Sequence, residues 1–356
     1  MKIGMITFHR ACNLGANLQA YALNKFINEN IAPCEIIDFY PNNQTAHKNK
    51  VRKILSEIKS MIPTIPNKKM RKFKNFQNKN YILSNKTYYG DDQLERSNLK
   101  YDILLSGSDQ IFNTQLSDTS KSYYLNFDEN SKKVSYASSF GREELSEDEL
   151  SLIESELPKF SHLSFREQSG AELVKEKLGI SASLVLDPVF LLNNKEWDCV
   201  AAKESIEGDF IFVYAMEESD ELLETVKAAK EKYKLPVYVV YGGENKGFID
   251  GVEISDCGPQ EFLSYIKEST IIITNSFHGT AFSIIYGKNF LSVAHSTRNA
   301  RLRNIMSLIK CEGKLVNYKD ISDIDEYTVD GTVAFGELIS YIDNSKKYLY
   351  SACEKQ

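Results

Sequence analysis

The sequence predicts an α/β fold in which two doubly wound, Rossmann-like domains face each other across a cleft. Short apolar runs rich in β-branched residues alternate with segments whose apolar residues recur at helical spacing. Such alternation implies parallel sheets covered by helices on both faces. The pattern ends at Asp187-Pro188 and begins again near Phe210, and 356 residues exceed what one hydrophobic core usually supports. We therefore predict one domain over residues 1–190 and a second over 191–334.

The first domain is predicted to open with a strand, a loop and a helix. Residues 2–8 are apolar and β-branched, residues 9–13 form the loop, and residues 15–28 carry apolar side chains at helical spacing. Further strands are predicted at 35–40, 101–105, 133–137, 162–166 and 183–186, and further helices at 147–157 and 169–178.

The second domain repeats this alternation. Strands are predicted at 210–215, 236–241, 269–274 and 289–293, and helices at 220–233, at 260–268 and from about residue 280. The last helical pattern covers residues 335–350. We predict that this C-terminal segment, 335–356, packs back on the first domain.

The composition is that of an ordinary globular protein. Hydrophobic residues make up 42% and charged residues 26%, which argues against disorder, and the net charge of −6 argues against nucleic acid as a partner. No apolar run reaches the ~20 residues of a membrane span, and the N-terminus soon turns polar, so we predict a cytoplasmic protein. The 6 cysteines show no metal-ligand spacing, so we predict free thiols and no metal site.

One segment departs from this charge balance. Residues 48–74 contain ten basic residues and one acid, Glu57. Apolar residues between Val51 and Ile62 fall on one helical face, with basic residues around it. A basic amphipathic helix can lie on an anionic membrane surface, and a surface helix packed on the first domain explains the same pattern.

The strongest candidate for chemistry is the segment Thr274-Asn-Ser-Phe-His-Gly-Thr. Ligands of open parallel sheets bind beyond the carboxyl ends of the strands, and here a buried strand leads into a helix N-terminus. That helix end, with Ser276 and Thr280, favours an anion, which Gly279 would allow to approach closely. His278 could donate a proton near neutral pH. The alternative is a histidine that caps a turn or is satisfied in the core.

Further candidates follow strands of both domains. Arg166 ends a strand, where its planar guanidinium suits a carboxylate or phosphate, and an ion pair with a helix residue is the alternative. Asp109, after Ser108, is either a helix N-cap or a base for a hydroxyl group. The loop after the first strand offers Asn13, Gly15, Asn17 and Gln19, either as substrate contacts or as solvated helix residues. The last cluster, Arg298, Arg301 and Arg303, is either a cationic wall or solvated surface.

Five segments, in order along nearly the whole chain, resemble motifs of the polysaccharide pyruvyl transferase family. They are Asn13-Leu-Gly-Ala-Asn-Leu-Gln-Ala-Tyr-Ala-Leu, Leu105-Ser-Gly-Ser-Asp-Gln-Ile-Phe-Asn, Ser164-Phe-Arg-Glu, Val185-Leu-Asp-Pro-Val-Phe-Leu-Leu and Ile273-Thr-Asn-Ser-Phe-His-Gly. Where other branches have Arg-Leu-His-Gly, this chain has Ser-Phe-His-Gly. The missing cation is then expected from Arg298, Arg301 or Arg303.

The resemblance implies a GT-B-like architecture and transfer of pyruvate from phosphoenolpyruvate to a sugar as a ketal, without cofactor or metal. The acceptor side would be the first domain and the phosphoenolpyruvate side the second. Galactose is a common acceptor in the family, carried on undecaprenyl diphosphate during capsule or exopolysaccharide assembly. His278 would be the acid/base residue, with Asp109 as a second catalytic group and Arg166 as an anchor for phosphoenolpyruvate.

Two other functions stay open on the sequence. A GT-B nucleotide-sugar glycosyltransferase would need a carboxylate near the strand ends of the second domain to hold a ribose, for which Asp256 and Glu253 are the candidates. A non-catalytic glycan-binding relative would keep the cleft and lack turnover.

Overall fold

Two five-stranded, all-parallel sheets form the framework of the protein. The computed structural model describes residues 1–41, 65–116, 119–142, 144–203, 206–243, 246–296, 299–317, 321 and 323–354. The basic amphipathic face predicted between residues 51 and 62 lies outside these described residues, and so does Arg298.

The first sheet has the strand order β3-β2-β1-β4-β5. Its strands are β1 (Ile3–Ile6), β2 (Cys34–Tyr40), β3 (Leu83–Tyr89), β4 (Ile103–Ser106) and β5 (Lys132–Ser135). Ile3 lies opposite Cys34 on one side and Ile103 on the other, which places the first strand in the centre of the sheet. A short parallel pair, β6 (Ser164–Phe165) and β7 (Ser183–Leu184), extends the sheet beyond β5 through isolated bridges.

The second sheet has the equivalent order, β10-β9-β8-β11-β12. Its strands are β8 (Ile211–Ala215), β9 (Val237–Tyr241), β10 (Val252–Glu253), β11 (Ile271–Thr274) and β12 (Phe290–Ser292). In both sheets the strand order reverses beside the first strand, which is the topological switch point of a Rossmann-like fold. The predicted fold class is therefore confirmed, with two Rossmann-like sheets in tandem.

Helices cover both sheets. The α-helices of the described residues are α1 (Leu14–Asn30), α2 (Ile65–Asn80), α3 (Asp91–Glu95), α4 (Glu147–Glu156), α5 (Gln168–Leu178), α6 (Asn194–Asp198), α7 (Asp220–Tyr233), α8 (Pro259–Glu268), α9 (Phe277–Ile285), α10 (Ala300–Leu308), α11 (Ile324–Tyr327) and α12 (Gly331–Ala352). Within the described part of the chain, no helix is long and apolar enough to cross a membrane.

The last helix, α12, contacts the first domain. The Leu186 N–H donates to Ser345 Oγ at 2.9 Å, and the Tyr348 hydroxyl donates to the Ser135 carbonyl at 2.8 Å. The helix begins at Gly331, earlier than the predicted 335, because Asp330 caps it by accepting from two backbone N–H groups. The boundary between the domains at residue 190 stays a prediction.

Trp197 packs between the helices that bring the two sheets together. Its buried ring lies 5.6 Å from Tyr21 of α1 and 4.9 Å from Phe282 of α9, measured between ring centroids. The indole N–H donates to the Val189 carbonyl at 3.1 Å, so the polar end of the ring is satisfied in the core. This packing fixes α1 and α9 against one another, and both helices begin at the same cleft.

Candidate functional site

A cavity of about 250 Å³ lies between the carboxyl edges of the two sheets. Its wall includes residues from both domains: Asn13, Asp109, Ser276, His278, His295 and Arg301. This is the position at which open parallel sheets bind their ligands. The described residues contain no group of three or more His, Cys, Asp or Glu side chains arranged to hold a metal ion.

Two helix N-termini face this cavity. Helix α1 begins after Asn13, whose side chain accepts from the Ala16 N–H at 3.0 Å, and both residues line the cavity. Helix α9 begins after Ser276, and Ser276 and Phe277 also line it. The first N–H groups of an α-helix have no acceptor within the helix and carry a partial positive charge. Two such ends on one cavity favour an anionic ligand.

His278, in the first turn of α9, is buried at the cavity wall with 9% of its side chain exposed. Its Nε2 lies 3.7 Å from Asp187 Oδ2, too far for a hydrogen bond, and has no hydrogen-bond partner among the described residues. Burial lowers the pKa of His278, and the charges of Arg166 and Arg301 lower it further against the opposing effect of Asp187 and Asp109. The ring is therefore mostly neutral at pH 7, and an approaching anion would favour its protonation.

Gly15 leaves the space that the ring of His278 occupies. A Cβ atom at Gly15 would lie 2.0 Å from His278 Nδ1, so only glycine lets the ring pack against helix α1. The sequence suggested Gly15 as a contact for the acceptor. In the structure the space beside its Cα is filled by the ring of a histidine from the other domain, and contact with the acceptor stays a prediction.

Arg166 lies behind the cavity wall. Its guanidinium donates to Asp187 Oδ2 at 2.8 Å and to Asp109 Oδ1 at 3.0 Å, and only 1% of the side chain is exposed. Burial acts to lower the pKa of Arg166, but the neighbouring carboxylates outweigh burial and raise it. Arg166 does not line the cavity. The structure thus shows Arg166 in a buried ion pair, the kind of alternative that the sequence left open, and its role as an anchor for phosphoenolpyruvate stays a prediction.

Asp109 connects this ion pair to the cavity. Its backbone has a φ of 79°, a left-handed conformation that aspartate tolerates better than most residues. Burial acts to raise the pKa of Asp109, and Arg166, Arg301 and His278 together hold it below its usual value. Asp109 is therefore ionised at neutral pH and accepts hydrogen bonds, but it is a weak base.

Three expected acceptor contacts are buried and have structural partners. Asn17 donates to the carbonyls of Ala11 and Asn13 at 2.6 and 2.8 Å, which holds the loop that caps α1. Gln19 donates to Thr7 Oγ1 at 3.1 Å, and Ser108 Oγ lies 3.4 Å from Asp187 Oδ2. These side chains do not line the cavity, and their contact with an acceptor stays a prediction.

Two of the expected donor contacts in α9 also have structural roles. A Cβ atom at Gly279 would lie 2.3 Å from Thr274 Oγ1, so this glycine allows α9 to pack closely on β11, and its contact with an anion stays a prediction. The hydroxyl of Thr280 is 2.6 Å from that of Ser292 in the core. Only Ser276, of these three, lines the cavity.

The arginines on α10 differ in position. Arg301 lines the cavity, and burial, with the charge of Arg166, lowers its pKa to about 10, so it remains a cation at pH 7. Arg303, two residues later, is exposed and does not line the cavity. Of the two candidates for the missing cation that the structure describes, Arg301 lines the cavity and Arg303 does not.

Sequence reasoning missed Asp187 as a site residue, along with His295 and Glu217. Asp187 is fully buried between Arg166 and His278. Its signal is the Leu-Asp-Pro segment, which ends a predicted strand and is one of the five family motifs. His295 Nδ1 lies 3.2 Å from Glu217 Oε1, and the two residues follow different strands, so no local spacing relates them.

The fold and the cavity define a protein of two Rossmann-like domains whose cleft presents two helix N-termini, an arginine and a buried histidine. The family model for polysaccharide pyruvyl transferase matches residues 13–297, and the chain belongs to this family of transferases. No curated protein sequence matches the chain.

Solved structures are similar to this chain at low sequence identity. The UDP-GlcNAc 2-epimerase of Methanocaldococcus jannaschii, in complex with UDP-GlcNAc and UDP, is 15% identical with a TM-score of 0.48, over 97% of this chain and 99% of its own. The UDP-GlcNAc 2-epimerase of Neisseria meningitidis, bound to UDP-GlcNAc, is 13% identical with a TM-score of 0.48, over 99% and 97%. These similarities carry no information about what this chain binds.

The contact between Gly15 and His278 yields a first prediction. Gly15→Ala should raise helix propensity by about 1 kcal/mol, yet it should reduce transferase activity about 100-fold, because the new methyl group displaces the ring of His278. The matched control is Gly336→Ala, an exposed position in α12 where a Cβ meets nothing within 4 Å. The measurements are the transferase activity and the melting temperature of both variants, which separate a displaced His278 from a loss of stability. Full activity in Gly15→Ala would show that the position of His278 is not critical.

Proposed function

We propose that the protein transfers pyruvate from phosphoenolpyruvate to a sugar hydroxyl pair, forming a cyclic ketal. The acceptor we propose is galactose at positions 4 and 6, on an undecaprenyl-diphosphate-linked precursor of a capsular polysaccharide or exopolysaccharide. Membership of the pyruvyl transferase family supports the reaction class. The observation that carries the proposal is one cavity at which Arg301, two helix N-termini and a buried histidine meet.

The donor would be held by positive groups of the cavity wall. Phosphoenolpyruvate carries a phosphate and a carboxylate, about three negative charges in total. Arg301 supplies one full positive charge at the wall, the N-termini of α1 and α9 add partial positive charge, and the first N–H groups of α9 have no side-chain cap. Arg166 contributes indirectly, since it neutralises carboxylates that would otherwise repel the donor.

His278 would act as the proton donor. The incoming anion favours protonation of its ring, and the ring then delivers a proton to the methylene carbon of phosphoenolpyruvate. The central carbon becomes oxocarbenium-like, and the first sugar hydroxyl attacks it and loses its own proton. The second hydroxyl then displaces phosphate, which leaves with the C–O bonding electrons, and its proton is released. Asp109, ionised at the wall, would orient a hydroxyl by accepting a hydrogen bond from it.

The carboxylates that a sugar-nucleotide transferase would need lie elsewhere. Glu253 is exposed on the short edge strand β10, and Asp256 is paired with Lys72 of α2 at 3.3 Å. Neither lines the cavity. The side chains that line the cavity therefore suit a compact anion better than a nucleotide whose ribose is held by a carboxylate.

Membrane contact through residues 48–74 is part of this proposal, since a lipid-linked acceptor lies at a membrane surface. Its support is the charge of the segment, ten basic residues against one acid. Helix α2 carries part of that charge, and Lys72 within it forms ion pairs with Asp256 and Glu261.

The proposed function is tested by incubation with phosphoenolpyruvate and a galactose-terminated lipid-linked acceptor. Mass spectrometry should find the acceptor heavier by one pyruvyl group, with one phosphate released per transfer. Thermal shift with phosphoenolpyruvate and with sugar nucleotides identifies the donor, because a ligand that binds the native state raises the melting temperature. A shift with UDP-sugar alone, and no transfer from phosphoenolpyruvate, would contradict the proposal.

Arg301 and Arg303 form a matched pair for testing how the donor is held. Arg301→Ala should weaken phosphoenolpyruvate binding about 10- to 100-fold, the loss of a charge-assisted hydrogen bond. Arg303→Ala removes the same charge from the same helix at an exposed position and should leave the affinity unchanged. Calorimetric titration with phosphoenolpyruvate measures both. Equal weakening in the two variants would point to a general charge effect and remove Arg301 from the site.

A further inference from the structure

A second histidine stands at the same cavity, held by a carboxylate. His295 follows β12 and Glu217 follows β8, so both belong to the carboxyl edge of the second sheet. His295 Nδ1 lies 3.2 Å from Glu217 Oε1, and the hydroxyl of Ser296 donates to Glu217 Oε2 at 2.8 Å. Of these residues, His295 lines the cavity.

The backbone around this pair is fixed by side-chain amides. The His295 N–H donates to Asn299 Oδ1 at 2.7 Å. Asn275, in the segment that carries His278, donates to the Glu217 carbonyl at 3.0 Å and accepts from the Met216 N–H at 2.7 Å. The pair is thus attached to the segment that places His278, and the two histidines are held relative to one another.

A carboxylate at Nδ1 defines the chemistry of the ring. A carboxylate in this position orients the ring and favours the tautomer with the proton on Nδ1 and the acceptor lone pair on Nε2. This is the arrangement in which a histidine acts as a general base. Glu217 touches the ring and not the cavity, so its role is that of a positioning residue.

The proposed reaction needs a base distinct from its acid. His278 must be protonated to deliver its proton to carbon, so it cannot accept the proton of the attacking hydroxyl at the same time. Asp109 is engaged by Arg166 at 3.0 Å, and Glu167 is buried behind the wall with Ser139. His295 lines the cavity, and its imidazole is a group of the kind that takes such a proton.

We propose that His295, oriented by Glu217, is the general base that accepts the proton of the sugar hydroxyl as its oxygen attacks the central carbon of phosphoenolpyruvate. A lone pair of the hydroxyl oxygen forms the new C–O bond while the proton moves to Nε2, and the electron pair of the broken O–H bond stays on the oxygen as a lone pair. The proton then passes to solvent or to the departing phosphate. This inference rests on the proposed function and adds a second catalytic residue to it.

The test compares transfer with donor binding. His295→Gln should lower the rate of pyruvyl transfer about 100-fold, the contribution of a general base, and leave the affinity for phosphoenolpyruvate within threefold of wild type. His295→Gly should regain transfer when imidazole is added, which a purely structural role would not allow. Glu217→Gln should lose transfer, and Glu217→Asp should restore part of it by keeping a carboxylate. The matched control is His162→Gln, a histidine beside Tyr348 in the first domain.

The outcomes separate the two proposals. Transfer by wild type, with His295→Gln within threefold of it, overturns the role of His295 alone. Loss of transfer in His295→Gly without rescue by imidazole, together with weaker phosphoenolpyruvate binding, also overturns it and makes His295 a donor contact. Absence of transfer by the wild-type protein with every acceptor overturns the proposed function, and the general base with it.

Discussion

Replacement of His278 with glutamine is expected to lower pyruvyl transfer at least about 1,000-fold, while phosphoenolpyruvate still raises the melting temperature. Glutamine nearly fills the space of the ring beside Gly15, so the cavity keeps its shape, but an amide cannot deliver a proton to carbon. The measurement is the rate of ketal formation by mass spectrometry, with donor binding followed by thermal shift.

The same variant tests how protonation of His278 is coupled to the donor. Burial lowers the pKa of the ring, so His278 is mostly neutral at pH 7, and the bound anion raises that pKa. Binding therefore takes up a proton, and the affinity for phosphoenolpyruvate should fall as the pH rises. Calorimetry in buffers of different ionisation enthalpy measures this uptake in wild type, and His278→Gln should lack the part due to the ring. Equal uptake in both proteins would show that His278 does not change its protonation.

The sequence predicted His278 because its signal is local. A buried strand, a histidine, a glycine and a helix lie next to one another along the chain, and the structure keeps that order from β11 into α9. Arg301 was found as a charge at a predicted strand end, but its distinction from Arg303 depends on which face of α10 meets the cavity. That face is decided by packing between the domains, which no local pattern records.

Helix α1 shows why the acceptor residues could not be predicted. A helix with one exposed face would leave Asn17 and Gln19 to solvent or ligand, but α1 lies between its own sheet and the second domain, and both side chains are fully buried. Asn17 also accepts from Gln77 and Tyr81, which lie 60 and 64 positions away along the chain, so no local pattern relates them. The first sheet gives a similar case, because β3 is an edge strand with a largely polar sequence and lacks the apolar alternation of a predicted strand.

The second large effect concerns stability. Arg166→Met is expected to destabilise the protein by about 3–5 kcal/mol, because it leaves buried carboxylates without their counter-charge. Arg166 holds Asp109 and Asp187 at 3.0 and 2.8 Å, and its own side chain is 1% exposed. Urea unfolding measures the loss in free energy. The control is Arg303→Met, an exposed position expected to stay within about 0.5 kcal/mol of wild type.

The dependence of this loss on pH identifies its cause. In wild type the pKa of Asp109 is lowered, so its contribution to stability is present at neutral pH and is lost as the pH falls through that pKa. Without Arg166, burial should raise the pKa of the same carboxyl, and the variant should gain stability as the pH falls. The difference in unfolding free energy between the two proteins should therefore be largest near neutrality and should narrow toward about pH 4.

Adding Asp187→Asn to Arg166→Met should recover part of the lost stability, since it removes one of the uncompensated charges. A loss below about 1 kcal/mol, or a gap that widens on acidification, would mean that Arg166 is not the counter-charge that holds this wall together.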